Sequence, residues 1–170
     1  ELTPVISPEP ETAPVAAEDK AIEVWSGEDL AAEETPLYIW PVLGELDREH
    51  NIESLSYDVT LKDWRTHDGV DIAAEAGAGV LAAAAGTVAD IHEDNLLGTT
   101  VVLQHSDGYR PPYAGLAPEL AVKFGQRVES GQLIGAVGVS AVGEAAAGPH
   151  LHFSVSKDGI PTDPTAFLAD

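Results

Sequence analysis

The sequence predicts an all-β (β-rich) domain over residues 36–170 that follows an acidic linker over residues 1–35. Glycine and other turn residues recur at short intervals after residue 36. The apolar runs between them are about four to eight residues long, the usual length of strands rather than helices. The first 35 residues, by contrast, offer little that a core could bury.

The linker prediction rests on composition. Residues 1–35 are rich in Pro, Glu, Ala and Thr, and they hold ten acidic side chains against the single cation of Lys20. Such a segment is expected to be an extended, largely disordered spacer. Because the chain contains no Met, we expect it to be a processed or truncated part of a longer protein whose anchor lies upstream.

Composition also excludes several classes of function. The chain has 29 acidic and 8 basic side chains, a net charge of −21, which argues against binding to nucleic acid or to anionic lipid. It has no Cys, so disulfides, thiolate zinc sites and cysteine nucleophiles are excluded. No apolar run reaches the roughly 18 residues of a membrane span.

The strands can be placed in order. Apolar runs predict strands at residues 86–91, 99–104, 132–137 and 151–155. The alanines at 82–85 are predicted as a strand with small side chains, because nearby glycines leave no room for a stable helix.

Residues 122–135 predict a β-hairpin around a glycine-containing turn. The same pattern occurs in biotinyl and lipoyl carrier domains, which modify a lysine at the exposed turn. Lys123 is the only lysine nearby and lies within a predicted strand, so the carrier function is disfavoured.

Two groups of polar side chains carry chemistry. In the first, Gly69 and Val70 disfavour a helix, so a turn running into a strand is expected to bring His67 and Asp71 together. In the second, His150 and His152 are two residues apart on a predicted strand and therefore share one face.

Imidazole and carboxylate together suit Zn²⁺, and three protein ligands with a fourth position open define a catalytic type of site. His67, Asp71 and one histidine of the second pair supply that number.

From about residue 40 to residue 168, the chain resembles the lysostaphin/LytM-type zinc metallopeptidases, which cleave peptidoglycan. The match lies, in chain order, in residues 67–72 (HDGVDI), 101–105 with Gly108 and Tyr109, 113–116 (YAGL), 122–138 and 148–153 (GPHLHF), then Gly159, Asp163 and Pro164. The resemblance implies a two-sheet antiparallel core with a groove over a zinc site.

The resemblance also implies roles for individual residues. His67, Asp71 and His152 match the family's zinc ligands, and His150 matches one of its two catalytic histidines. The second catalytic histidine belongs to a Tyr-x-His-Leu motif, and here Gly115 stands in its place. Losing such a group typically costs about 10²–10⁴ in rate, so catalysis is expected to be impaired.

Two further polar side chains are within or close to this motif in the sequence. The Tyr113 hydroxyl is a candidate auxiliary donor, whereas His105 is not expected to replace the missing imidazole.

Residues 63–67, the altered Tyr-x-x-Leu motif and residues 138–144 further resemble the stage II sporulation protein Q group. That resemblance implies an extracytoplasmic, membrane-anchored ectodomain of a Gram-positive-type bacterium that acts as an interaction module. The implied partners are a peptidoglycan peptide or a stage III sporulation protein AH-like domain.

Two alternatives remain open from the sequence. The first is an active zinc endopeptidase that cleaves peptidoglycan cross-link peptides. The second concerns the zinc site, whose open position a carboxylate of the N-terminal tail could occupy.

Overall fold

The computed structural model describes residues 38–168, so the predictions for the linker and its carboxylates lie outside the described residues. The described chain is built from thirteen strands and two short 3₁₀ helices, Val142–Ala147 and Pro164–Ala166. The strands are β1 (Glu45–Arg48), β2 (Asn51–Asp58), β3 (Asp63–His67), β4 (Gly69–Ala73), β5 (Gly79–Leu81), β6 (Gly86–Asp94), β7 (Gly98–Gln104), β8 (Tyr109–Arg110), β9 (Pro112–Leu116), β10 (Arg127–Val128), β11 (Leu133–Ala136), β12 (His150–Lys157) and β13 (Ile160–Thr162).

One large antiparallel sheet organises the domain. Its strand order is β1-β4-β12-β9-β7-β6-β10, and β8 and β13 pair with the far end of β12. Two smaller antiparallel sheets, β5–β11 and β2–β3, complete the architecture. The predicted all-β antiparallel fold is confirmed. No helix in the described part of the chain is long and apolar enough to cross a membrane.

The apolar core lies between the large sheet and the β5–β11 sheet. Leu151 and Phe153 on β12 are fully buried there, in one cluster with Val80 of β5 and Ile134 of β11. Burial of this kind stabilises by roughly 1.5–3 kcal/mol for each large side chain. Because side chains alternate along a strand, packing these residues inward directs His152 to the opposite face.

The predicted strands at residues 86–91, 99–104, 132–137 and 151–155 correspond to β6, β7, β11 and β12. The strand predicted for residues 82–85 is wrong, because this segment is irregular. Its backbone N–H groups donate to separate parts of the chain instead of to one neighbouring strand. The Ala82 N–H donates to the carbonyl of Gln132, and the Ala83 N–H donates to the Tyr113 hydroxyl. Ala82 and Ala83 are fully buried, so the alanines mark close packing in a loop.

The hairpin predicted for residues 122–135 is also wrong. The segment makes two turns instead of one, in which the Gln126 N–H donates to Lys123 and the Gln132 N–H to Glu129. Its two strands then pair with different partners, β10 with β6 and β11 with β5.

Candidate metal centre

Three strands place the candidate metal-binding side chains. On β12, His152 lies directly opposite Asp71 of β4 on one side and Ala114 of β9 on the other. Opposed residues in neighbouring strands share a face, so the Asp71 and His152 side chains meet. The strand β3 ends at His67, and only Asp68 separates it from β4. The structure therefore brings together the three residues that the sequence singled out.

Their donor atoms converge on one point. His67 Nε2 lies 3.1 Å from Asp71 Oδ1 and 3.3 Å from His152 Nδ1, and the last two atoms are 2.7 Å apart. Ligands bonded about 2.0–2.1 Å from a tetrahedral ion lie roughly 3.3 Å from one another. Two imidazole nitrogens and one carboxylate oxygen at this spacing fit a divalent transition metal, and the group could hold such an ion.

Each imidazole is held from behind by an oxygen atom. His67 Nδ1 lies 2.9 Å from the carbonyl of Glu49. Since a carbonyl only accepts, Nδ1 carries the proton, and Nε2 presents its lone pair to the site. On the other ring, His152 Nε2 faces the carboxylate of Asp68 at 3.7 Å. A carboxylate or carbonyl behind a histidine is the arrangement that orients metal ligands.

The charges of the site are strongly coupled when no metal is bound. Burial raises the pKa of Asp71, but hydrogen bonds with His152 and His67 outweigh burial and hold it far below its usual range. Burial lowers the pKa of His152, but the neighbouring carboxylates of Asp68 and Asp71 outweigh burial and raise it. A metal ion must therefore displace a proton from His152 in order to bind.

Glu144 is a fourth member of the cluster, and sequence reasoning missed it. Its carboxylate is largely buried, and one of its oxygens lies within 4.8 Å of the ligand atoms of His67, Asp71 and His152. It lies on the 3₁₀ helix Val142–Ala147. The sequence does hold a signal, because Glu144 is the only Asp, Glu, Lys or Arg between Glu129 and Lys157.

Gly143 allows the short helix Val142–Ala147 to pack closely against Leu96. The Gly143 N–H donates to the carbonyl of Leu96 at 2.8 Å. A β-carbon at position 143 would lie 2.9 Å from Cβ of Leu96, so only glycine allows this approach. The contact turns the neighbouring Glu144 side chain inward.

Both ring nitrogens of His150 are engaged within the protein. Nδ1 lies 2.8 Å from the carbonyl of Gly148, and Nε2 lies 2.9 Å from Glu144 Oε2. Burial lowers the pKa of His150, but hydrogen bonds to Glu144 and Gly148 outweigh it and raise the pKa. The ring is itself buried, and its Nε2 is directed at Glu144.

Gly115 lies in an irregular stretch of β9. Between Tyr113 and Leu116, this strand has one residue more than the facing segment Thr99–Val101 of β7. Gly115 takes up the bulge with a φ of 78°, and a β-carbon there would lie 3.0 Å from the carbonyl oxygen of His150. The main chain at this position is therefore shaped for glycine.

Two other predicted residues lie elsewhere. The Tyr113 ring is fully buried against Phe153, and its hydroxyl accepts from the Ala83 N–H at 2.9 Å. The structure does not bring this hydroxyl to the metal centre. His105 Nδ1 donates to the carbonyl of Ala85 at 2.7 Å, and the ring packs edge-on against Tyr38.

A cleft of about 220 Å³ lies over the cluster. Its walls include His67, His152 and Glu144 from the centre and Arg48 and Arg65 from the β1–β3 region. Arg48 also lies 3.5 Å from the buried Asp58. The resulting site is a polar, partly enclosed cleft above a His–Asp–His–Glu cluster.

Fold and site together define a class of β-sheet metallopeptidase domains. The model of peptidase family M23 matches residues 65–164, and the chain belongs to this family. Stage II sporulation protein Q of Bacillus subtilis is 35% identical over 102 residues, covering 59% of this chain and 35% of that protein. The DD-carboxypeptidase/endopeptidase Mpg of Neisseria meningitidis is 33% identical over 109 residues, covering 62% of this chain and 24% of that protein.

Solved structures support the same assignment. The structure of the SpoIIQ–SpoIIIAH pore-forming complex matches with a TM-score of 0.66 and 25% identity, over 78% of this chain and 91% of that one. The catalytic domain of the antimicrobial peptidase lysostaphin from Staphylococcus simulans matches with a TM-score of 0.60 and 26% identity, over 72% of this chain and 91% of that one. The predicted lysostaphin/LytM and sporulation protein Q resemblance is confirmed, although the chain spans only 35% and 24% of the length of these two curated relatives.

Proposed function

We propose that this chain is a zinc-binding M23 domain with impaired catalysis that works as an extracytoplasmic interaction module. His67, Asp71 and His152 hold the metal ion in this proposal. When bound, zinc supplies Lewis-acid chemistry in such a site. The observation that carries the proposal is Gly115, which replaces the histidine of the family's Tyr-x-His-Leu motif.

The backbone geometry at Gly115 also supports the proposal. At Gly115, φ is 78°, and a side chain there would press on the carbonyl of His150. Residues other than glycine adopt this left-handed conformation only at a cost of about 1–2 kcal/mol. A histidine at this position would therefore need both a new side chain and a different strand geometry.

The interaction role is supported by the relatives and by the surface. The SpoIIQ relative is solved in a complex with SpoIIIAH, so we assign this chain a protein partner of the SpoIIIAH type. The β2–β3 hairpin exposes apolar side chains, including Leu55, Tyr57 and Trp64, which is 66% exposed. These exposed apolar side chains are the surface that we assign to the partner contact. A SpoIIIAH-type domain that shows no binding to the chain in calorimetry would contradict this assignment.

The extracytoplasmic part of the proposal is supported by the names of two further relatives. One of them is named as a lipoprotein and another as a peptidoglycan endopeptidase, and both names indicate the cell envelope.

One observation favours a second function, an active endopeptidase on peptidoglycan peptides. His67, Asp71 and His152 converge with metal-ligand spacing, and His150 lies beside them. A pure scaffold places no chemical demand on these four side chains. Peptidoglycan peptides are then the substrate, entering by the cleft over the cluster.

The deciding experiment measures zinc content and muropeptide cleavage for the native chain, Gly115→His and Gly115→Ala. The alanine variant carries the same backbone strain without an imidazole, so it is the matched control. We expect about one zinc per chain in all three, no cleavage by the native chain or Gly115→Ala, and any cleavage to be confined to Gly115→His. Cleavage by the native chain at the rate of Gly115→His would establish the peptidase function instead. A native chain without zinc would overturn the metal site.

A further inference from the structure

Besides the three predicted ligands, the carboxylate of Glu144 also belongs to the candidate metal cluster. The two oxygens of this side chain have different surroundings. Oε2 lies 2.9 Å from His150 Nε2, whereas Oε1 faces the ligand cluster, 3.8 Å from His152 Nδ1. One oxygen is therefore held in place, and the other points at the position where the three predicted ligands converge.

From this arrangement we propose that Glu144 is the fourth protein ligand of the metal ion, bound through Oε1, and that it closes the coordination sphere. The inference rests on the proposed zinc binding by His67, Asp71 and His152. It makes the centre a four-ligand site of the structural type, because a catalytic zinc keeps one position open.

The geometry needs only a small adjustment. Ligands of a tetrahedral ion lie roughly 3.3 Å apart, so Oε1 must advance by about 1 Å to join the three atoms. A glutamate side chain makes this movement by rotating its terminal bonds while Oε2 keeps its contact with His150. The neighbouring Gly143 N–H donates to the carbonyl of Leu96, so this movement needs no shift of the main chain.

Charge favours the same assignment. Glu144 is buried, with 9% of its surface exposed, and the rings of His150 and His152 lie within 4 Å of its carboxylate oxygens. A buried carboxylate is costly unless it is paired or binds a metal. The carboxylates of Asp71 and Glu144 together carry the two negative charges that balance a divalent ion.

When Glu144 closes the coordination sphere, His150 has a different role from the catalytic one that the resemblance implies. Its two nitrogens bond to Gly148 and Glu144. In this arrangement His150 is a positioning residue that holds the Glu144 carboxylate on the metal.

Cobalt spectroscopy of the full chain tests the proposal, because Co²⁺ reports its coordination through visible ligand-field bands. The samples are the Co²⁺-loaded native chain, Glu144→Gln, Glu144→Ala and the exposed control Glu119→Gln. Azide serves as the probe for an open coordination position. Circular dichroism establishes that each variant is folded, and the isosteric Gln variant covers the case in which the alanine variant does not fold.

We expect azide to leave the spectra of the native chain and Glu119→Gln unchanged and to shift those of the Glu144 variants. Loss of a group that merely holds a ligand costs about 10–100-fold in metal affinity. Removing Glu144 itself should therefore weaken Zn²⁺ binding at least tenfold. An azide shift in the native chain equal to that of Glu144→Ala would overturn closure and leave the three-ligand site standing. A native chain that binds neither Co²⁺ nor Zn²⁺ would overturn the proposed function as well.

Discussion

At the scale of single residues, two buried histidines have opposite electrostatic surroundings. His152 lies between the carboxylates of Asp68 and Asp71, which favour its charged form. His105 donates from Nδ1 to the carbonyl of Ala85, and its Nε2 is buried without a partner among the described residues. Protonating that nitrogen would bury an unpaired N–H group, which is costly.

We predict an acid-sensitive contribution of His105 to stability. Burial lowers its pKa below 6.5, although Ala85 and Asp107 act in the other direction. The unfolded chain therefore takes up the proton at higher pH than the folded chain. The contribution is fully present above about pH 6.5 and is lost as pH falls through the lowered folded pKa.

The measurement is urea unfolding of the metal-free native chain and of His105→Gln from about pH 7.5 to about pH 5. The native free energy of unfolding should fall more steeply than that of the variant. The site histidines contribute equally to both chains and cancel in the difference. Parallel curves would contradict the prediction.

At the scale of elements, the close approach of β4 to β12 depends on a glycine. Gly69 pairs with Ser154, and a β-carbon at position 69 would lie 2.7 Å from the carbonyl of Phe153 and 2.9 Å from Nε2 of His152. The imidazole of His152 thus lies directly over Gly69. The absence of a side chain there sets the ring orientation that directs Nδ1 toward the other ligands.

Replacing Gly69 with Ala should therefore disturb both the sheet and the metal centre. We expect a loss of about 1–3 kcal/mol in the free energy of unfolding, typical of overpacking, together with weaker Zn²⁺ binding. Gly79→Ala is the control, since its β-carbon meets only the flexible Leu133 side chain at 3.2 Å. Denaturant unfolding and zinc titration measure the two effects. Equal zinc affinity for both variants would rule out the proposed role of Gly69.

The sequence predicted the strands well where their geometry depends only on residues that are close together in the sequence. Alternation along β12 separates His152 from the core residues Leu151 and Phe153, and the Gly69–Val70 pair marks the strand that carries Asp71. Strand pairing is not local, which explains the wrong hairpin. The glycine turns near residues 125 and 131 are visible in the sequence, whereas the partners β6 and β5 are set by the packed sheet.

The residues of the candidate site were also predicted only in part. His67, Asp71 and His152 meet as expected, and their role as ligands stays a prediction. Glu144 was missed because neither periodicity nor a spacing rule relates a 3₁₀ helix to a strand. Its inward direction depends on the contact between Gly143 and Leu96, which only the folded chain creates. An isolated charge in a long uncharged stretch was the one available signal.

At the scale of the whole molecule, metal binding and folding are linked. The ligands come from segments far apart in the chain, since Asp71 and His152 are 81 positions apart in the sequence. The unfolded chain therefore lacks a preformed site, and an ion that binds the folded state stabilises the whole domain.

We predict that free zinc at a hundredfold excess over its Kd stabilises the native chain by about 2.7 kcal/mol. Thermal unfolding with zinc and then with a chelator should show a reversible shift of Tm. Asp71→Asn removes a carboxylate from the centre and should lose most of the shift. A shift of equal size in Asp71→Asn would mean that zinc binds elsewhere on this acidic chain.

The strand β12 also sets the order in which a bound ion would be released. It hydrogen-bonds to β4, β9, β8 and β13, so His152 moves away only when the large sheet itself opens. Glu144 lies on a single short helix that joins its surroundings through contacts such as that of Gly143 with Leu96. Exchange of the ion in the native protein should therefore begin with dissociation of Glu144, at a rate set by local fraying and not by global unfolding.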